Sequence, residues 1–147
     1  MVENFFDRLL EISNQAHIVI CNNEEATSFT KLNTECYEEI ALAMHRQLAP
    51  LDRIIIITCG KDPVITSKYN YERQEFDFVL KSYVPFVQEQ EIVDTNGCGD
   101  AFAGGFISQY VQGKSLEECA RAGIWSSSVI LRNVGCTYPT GMKPHFK

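Results

Sequence analysis

Ile92-Val93-Asp94-Thr95-Asn96-Gly97-Cys98-Gly99-Asp100-Ala101-Phe102-Ala103-Gly104-Gly105-Phe106 reads as the end of a strand, a glycine turn and the start of a helix. Ile92-Val93 is a short apolar run suited to a buried strand, and Gly97 and Gly99 bracket a tight turn. Residues from Ala101 to Val111 are mostly apolar or small and include no proline, so the spacing predicts a helix from about Gly99 to Val111. A helix N-terminus leaves backbone N–H groups unpaired and carries partial positive charge. Flanking glycines let a ligand come close to that backbone. The combination is an anion site made of the Gly97, Cys98 and Gly99 amides. Asp100 is out of place in a phosphate cradle unless it takes a proton from the hydroxyl that attacks the phosphate. The alternative is that Asp100 only offsets the helix dipole in the first turn. Spacing leaves both open.

Two commoner phosphate loops fail on these residues. A Walker A loop needs Gly-Lys-Ser/Thr after a four-residue gap; Gly99 and Gly104 have the gap, but Gly105-Phe106 follows. A dinucleotide fingerprint needs a third glycine where Phe102 stands.

The chain has 147 residues, 45% hydrophobic and 22% charged, enough for one soluble domain with a core. A net charge of −6 argues against nucleic acid or an anionic membrane as a partner. A bound phosphate would therefore depend on local amides and a metal. The six cysteines have no CxxC spacing, so zinc is not expected, and most sit in apolar runs, as free buried thiols of a reducing compartment do. The first ten residues already carry Glu3, Asp7 and Arg8, which is not the pattern of a signal peptide or a membrane span. The expected location is the cytoplasm, with the nucleus also open to it.

Taken in order, residues 3–14 place Phe5, Phe6, Leu9, Leu10 and Ile12 largely on one helical face. His17 to Cys21 is a β-branched strand, followed by a helix to about Lys31 and a longer one over 34–48 with Ile40, Met44 and Leu48 inward. Arg53 to Cys59, with four consecutive isoleucines at 54–57, is apolar on both faces and belongs inside a covered sheet. Val64–Thr66 and Glu75–Leu80 read as strands, and residues 83–91 as a linker into the strand ending at Val93. Ser115-Leu116-Glu117-Glu118 is a capping box opening a helix to about Arg132, and the tail from Gly135 is loop. This alternation predicts an α/β fold with a mostly parallel sheet. In such sheets ligands sit beyond the carboxyl ends of strands, which groups Cys21-Asn22, Thr58–Gly60 and Asp94–Gly99.

Asp94-Thr95-Asn96-Gly97-Cys98-Gly99-Asp100-Ala101-Phe102 resembles the signature of the ribokinase-like (PfkB) carbohydrate and nucleoside kinases. Gly104-Gly105-Phe106, Arg121-Ala122-Gly123 and Gly135-Cys136-Thr137-Tyr138-Pro139 are similar to its adenosine kinase branch. Cys98 departs from the family's usual alanine, and Ile124 stands where adenosine kinases often have histidine. The resemblance implies a ribokinase-like α/β/α sandwich that phosphorylates the 5′-hydroxyl of adenosine to AMP in purine salvage, using ATP. Asp100 would be the general base and Gly97, Cys98 and Gly99 the anion hole. Asn96, Thr58, Gly60 and Ser127 would contact ATP. Asn22-x-x-Glu25, which on spacing is a helix cap, matches the motif that places Mg²⁺ largely through water. Asp94 with the Gly135 loop resembles the family's K⁺ site, although Asp94 more simply orients the turn. The full-length protein would be a monomer.

The resemblance covers nearly the whole chain but only the C-terminal half of the family. It implies one partial domain over residues 1–147, carrying the ATP-binding and catalytic half, without the opening strands of the sheet and the lid. Alone, such a chain is expected to be weakly active or inactive and to expose a sheet edge. The alternatives are a nucleotide-binding pseudoenzyme or fragment, and a sugar kinase of the same superfamily.

Overall fold

The computed structural model describes residues 2–145. They form two compact units, the first ending at Lys81 and the second beginning at Ser82.

The first unit contains α1 (Val2–Gln15), β1 (Ile18–Asn22), α2 (Asn23–Thr30), α3 (Tyr37–Gln47), β2 (Ile54–Cys59), β3 (Asp62–Asn70) and β4 (Glu75–Ser82). The strands form one sheet in the order β1-β2-β3-β4. β1 and β2 run parallel, in register from Ile18↔Ile54 to Asn22↔Thr58, and β2 and β3 run antiparallel. The α/β fold is as expected, but the sheet is mixed rather than mostly parallel. The reason lies in the connections. Cys59 pairs with Asp62, so only Gly60-Lys61 joins β2 to β3, and a parallel return needs a crossover of a dozen residues or more. Only α2 and α3, between β1 and β2, supply one.

The consecutive isoleucines of β2 are buried on both faces: Ile55, Ile56 and Ile57 are all fully enclosed. One face packs Ile55, Ile57, Cys59 and Ile65 against Ala26, Phe29, Ile40, Ala41, Met44 and Leu48 of α2, α3 and the residue that ends α3. From α1, Phe6 and Leu10 join this core, but Phe5, Leu9 and Ile12 do not; they lie exposed on a second face. Arg53, 1% exposed, is a buried cation with no carboxylate paired to it among the described residues. Its Nε donates to the Ala16 carbonyl, Nη1 to Ala49, and Nη2 to Ser13 and Asn14, at 2.8–3.0 Å. It thereby satisfies the orphan carbonyls at the end of α1 and complements that helix's negative pole.

The second unit holds a short 3₁₀ turn (Glu89–Glu91), α4 (Cys98–Tyr110) and α5 (Leu116–Leu131). Ser115 and Glu118 form the expected capping box. The two helices pack closely at Gly105, where a Cβ would fall 2.4 Å from Ser126 Oγ and 2.6 Å from the Ala122 carbonyl oxygen. The strand expected to end at Val93 is absent among the described residues. Val93 and Asp94 N–H instead donate to the Leu131 carbonyl, at 2.9 and 3.3 Å, where α5 ends. A two-residue apolar run becomes a strand only beside a ladder partner, and here the helix end takes its amides. No helix among the described residues is long and apolar enough to cross a membrane.

Candidate functional site

In the second unit, the turn before α4 is built by Asp94. Its Oδ1 accepts the Asn96 N–H at 2.9 Å and its Oδ2 the Gly135 N–H at 3.2 Å. These two backbone donors, Asn96 first, hold the carboxyl below its ordinary value, so it is a carboxylate at neutral pH. One side chain thus folds the loop at 94–96 and ties it to the tail at 135.

Gly97 is the N-cap of α4, with φ +78°. A Cβ there would fall 1.7 Å from Cys136 Sγ, so both backbone conformation and space disfavour any side chain at this position. The Gly97 carbonyl accepts the Ala101 N–H at 2.9 Å and starts the helix. Cys98 N–H makes a long 3.4 Å turn bond to the Thr95 carbonyl. Gly97, Gly99 and Asp100 N–H have no acceptor among the described residues. The amides of this glycine turn lie outside any sheet ladder, and of the three at Gly97, Cys98 and Gly99 only that of Cys98 has a backbone acceptor among the described residues.

Cys98 and Ser127 lock α4 to α5. Ser127 Oγ donates to the Cys98 carbonyl at 2.6 Å, and the Cys98 thiol points to the Ser127 carbonyl at 3.8 Å. Ser127 thus buttresses the turn from behind, with its hydroxyl proton committed. Burial, with Asp94 and Cys136 nearby, raises the Cys98 thiol above its ordinary value, so it remains a neutral thiol.

Asp100 is exposed and lines a cleft of about 430 Å³ with Gly97, Ala101, Gly104, Cys136 and Tyr138, among others. Asp100 and Gly97 therefore line one space, while Gly99 is not among the residues around it. Cys136 and Tyr138 were not singled out as site residues. They come from a loop about 40 positions away, and nothing in their spacing marks them as neighbours of Gly97. Ile124 is buried and Trp125 half-buried.

In the first unit, Asn22 Oδ1 accepts the Glu25 N–H and Glu25 Oε2 accepts the Asn22 N–H, both at 2.8 Å, in a complete capping box at the start of α2. Thr58 is Asn22's register partner at the carboxyl end of β2, and its hydroxyl reaches the Cys21 carbonyl at 3.4 Å. Gly60 follows in the exposed turn. These four residues lie at one end of the β1–β2 pair, while Asn96, Gly97, Cys98, Gly99, Asp100 and Ser127 form a second group in the other unit. No cluster of three or more metal-ligating side chains occurs among the described residues.

All six thiols are free. Burial pushes Cys21 and Cys59 up to about 12, as expected of inert core thiols. Cys36 and Cys136, by contrast, are exposed rather than buried.

The family model for pfkB family carbohydrate kinases matches residues 2–141. Adenosine kinase 1 of Arabidopsis thaliana is 41% identical over 133 residues, 85% of this chain and 36% of that protein. The solved adenosine kinase of Anopheles gambiae, in complex with P1,P4-di(adenosine-5) tetraphosphate, is 32% identical with a TM-score of 0.76, over 95% of this chain and 42% of that one. The Schistosoma mansoni adenosine kinase in complex with 2-fluoroadenosine shares the fold, with a TM-score of 0.80 at 24% identity over 94% of this chain and 41% of that one. The chain spans about two-fifths of the length of these relatives.

Proposed function

The chain belongs to the pfkB family of carbohydrate kinases, and on that premise we propose that it is the ATP-binding and catalytic part of a kinase that phosphorylates the 5′-hydroxyl of adenosine. One observation carries the reading: Asp100 and Gly97, whose amide is unpaired, line the same cleft at the start of α4. An alcohol placed there gives its proton to the Asp100 carboxylate as its oxygen bonds to the γ-phosphorus. The bond to the bridging oxygen breaks, and ADP leaves with the electron pair. The free amides hold the γ-phosphoryl oxygens while charge spreads over them, and no reorganisation is needed because Asp94 and Ser127 already fix the turn.

Asn96, Thr58, Gly60 and Ser127 are proposed nucleotide contacts, Ser127 through the lone pairs left on its hydroxyl oxygen. The hard oxygen donors of Asn22 and Glu25 suit a hydrated magnesium ion, since Glu25 uses only Oε2 in the cap. When bound, that ion supplies positive charge against the phosphates. Asp94 keeps a second lone pair on each oxygen, which fits K⁺ beside the Gly135 loop. The proposed setting is purine salvage in the cytoplasm.

The alternative is a nucleotide-binding pseudoenzyme, which would hold a nucleotide's phosphates at the α4 turn without binding adenosine. Calorimetric titration of this chain with Mg-ATP, then adenosine, separates the two, because a kinase binds both. Phosphoryl transfer to adenosine, ribose and fructose 6-phosphate, assayed side by side, should favour adenosine. A preference for either sugar would overturn the substrate assignment.

A further inference from the structure

We propose that Cys98 and Cys136 are a redox pair, which a small-molecule disulfide such as oxidised glutathione converts into a disulfide that staples the tail to the turn before α4. Both residues adjoin Gly97 in the second unit. Cys136 Sγ lies 1.7 Å from the position a Gly97 Cβ would take, and Cys136 Cβ lies 3.3 Å from it. The Cys136 thiol also points to the Asn96 carbonyl at 3.8 Å. Cys98, the residue after Gly97, holds its thiol 3.8 Å from the Ser127 carbonyl. Burial first, then Asp94, then Cys136 raise that thiol above its ordinary value, which places the two sulfurs within electrostatic reach of each other. Both thiols are free; Cys136 is exposed and Cys98 half-buried. The other four are placed differently. Cys21 and Cys59 are pushed up to about 12 by burial, Cys119 is buried, and Cys36 belongs to the first unit with its thiol 3.7 Å from Glu38.

The exposed thiol reacts first. The Cys136 thiolate attacks one sulfur of oxidised glutathione, the S–S bond breaks, and one glutathione leaves as a thiolate that takes up a proton. Cys98 then gives its proton to water. Its sulfur turns off the Ser127 carbonyl, bonds to Cys136 Sγ and displaces the second glutathione. The pair has lost two electrons and two protons, and one oxidised glutathione has become two reduced ones. In a reducing compartment the pair stays open, and a rise in the disulfide pool closes it. Closure has a local consequence. The hydrogen bonds joining tail to turn are long: Gly135 N–H reaches Asp94 Oδ2 at 3.2 Å, and the Cys136 thiol reaches the Asn96 carbonyl at 3.8 Å. A covalent bridge beside them restricts the opened tail and so makes opening rarer. Cys136 also lines the cleft with Asp100 and Gly97, which sets the staple at the edge of that space.

This inference does not rest on the phosphoryl-transfer reading, so its readouts are mass and amide exchange rather than turnover. The reduced chain is equilibrated with mixtures of reduced and oxidised glutathione, quenched in acid and mapped by mass spectrometry without reduction. The expected product is a monomer lighter by two hydrogens, with the Cys98 and Cys136 peptides joined. It should form while reduced glutathione is still present and revert in an excess of it. In that product, hydrogen exchange at the Gly135 amide should slow at least about tenfold against the reduced chain. Cys98→Ser, once circular dichroism shows it folded, should stop at a glutathione adduct on Cys136 and keep the fast exchange of the reduced parent. A parent that stops at that adduct overturns the proposal. So does a bridge from Cys136 to Cys36 or to a second copy, or a Cys98–Cys136 bridge that forms only after the chain is unfolded. Unchanged Gly135 exchange in the bridged product, or the same slowing in folded Cys98→Ser, overturns it as well.

Discussion

At Gly97 one atom decides the local structure. A methyl group there meets Cys136 Sγ at 1.7 Å, and φ +78° strains any L-residue by about 1–2 kcal/mol. Gly97→Ala should therefore lower stability by about 2 kcal/mol or more and weaken Mg-ATP binding. Adding Cys136→Ala removes the sulfur but not the strain, so it should restore only part of the loss; a double-mutant cycle in urea reads the coupling directly. Asp100 predicts a different pattern. Asp100→Asn keeps the turn and its amides, so ATP affinity should stay within about threefold while any phosphoryl transfer falls by about 10²–10⁴-fold. Turnover equal to the parent's would remove the general-base assignment. Asp94 supplies a pH dependence. Its folded value is depressed below the ordinary 3.8 by the Asn96 and Gly135 amides, so its contribution is complete above that pH and fades as pH falls through the depressed value. The Asn96 and Gly135 amide signals should hold steady from pH 7 to 5 and shift only in stronger acid, and in Asp94→Asn they should show no such transition.

At the scale of elements, α3 is tied to the sheet by a histidine that titrates against folding. His45 is fully buried, its Nε2 lies 3.2 Å from Ser67 Oγ on β3, its Nδ1 has no partner among the described residues, and its ring stacks on Tyr69. Burial, then Arg53, lowers it from 6.5 to about 4. The unfolded chain takes up its proton first, so stability is complete above 6.5 and falls as pH drops toward 4, by about 2 kcal/mol at pH 5. Urea titrations at pH 7 and 5 should show that loss in the parent and a smaller one in His45→Phe. Arg53→Ala strands the carbonyls of Asn14, Ala16 and Ala49 and should cost about 3 kcal/mol or more, with Arg53→Lys recovering little because an ammonium cannot fork to them. The elements divide by how local their causes are. β2, both capping boxes and the α4 turn were legible because adjacent residues specify them. The Arg53 clamp was not, since its carbonyl partners at Ser13, Asn14 and Ala16 lie about 40 positions upstream. Nor was the exposed face of α1, where five apolar residues fit one helical stripe but only Phe6 and Leu10 find a core. Val93 followed the same rule in reverse, with apolar composition suggesting a strand that no neighbour completes.

For the whole molecule, the two compact units divide the proposed nucleotide contacts between them. Asn22, Glu25, Thr58 and Gly60 belong to the first, and Asn96–Asp100 with Ser127 to the second. The residues just after the division have no regular structure from Tyr83 to Gln88, and Tyr83 and Phe86 are 78% and 88% exposed. Exposed chain of this kind is where proteases cut first. Limited chymotrypsin treatment should therefore cleave after Tyr83 or Phe86 before any site within α3, β2 or α5, giving two fragments that mass spectrometry identifies. A first cut inside α3, β2 or α5 would show instead that the stretch from Tyr83 to Gln88 is protected in solution.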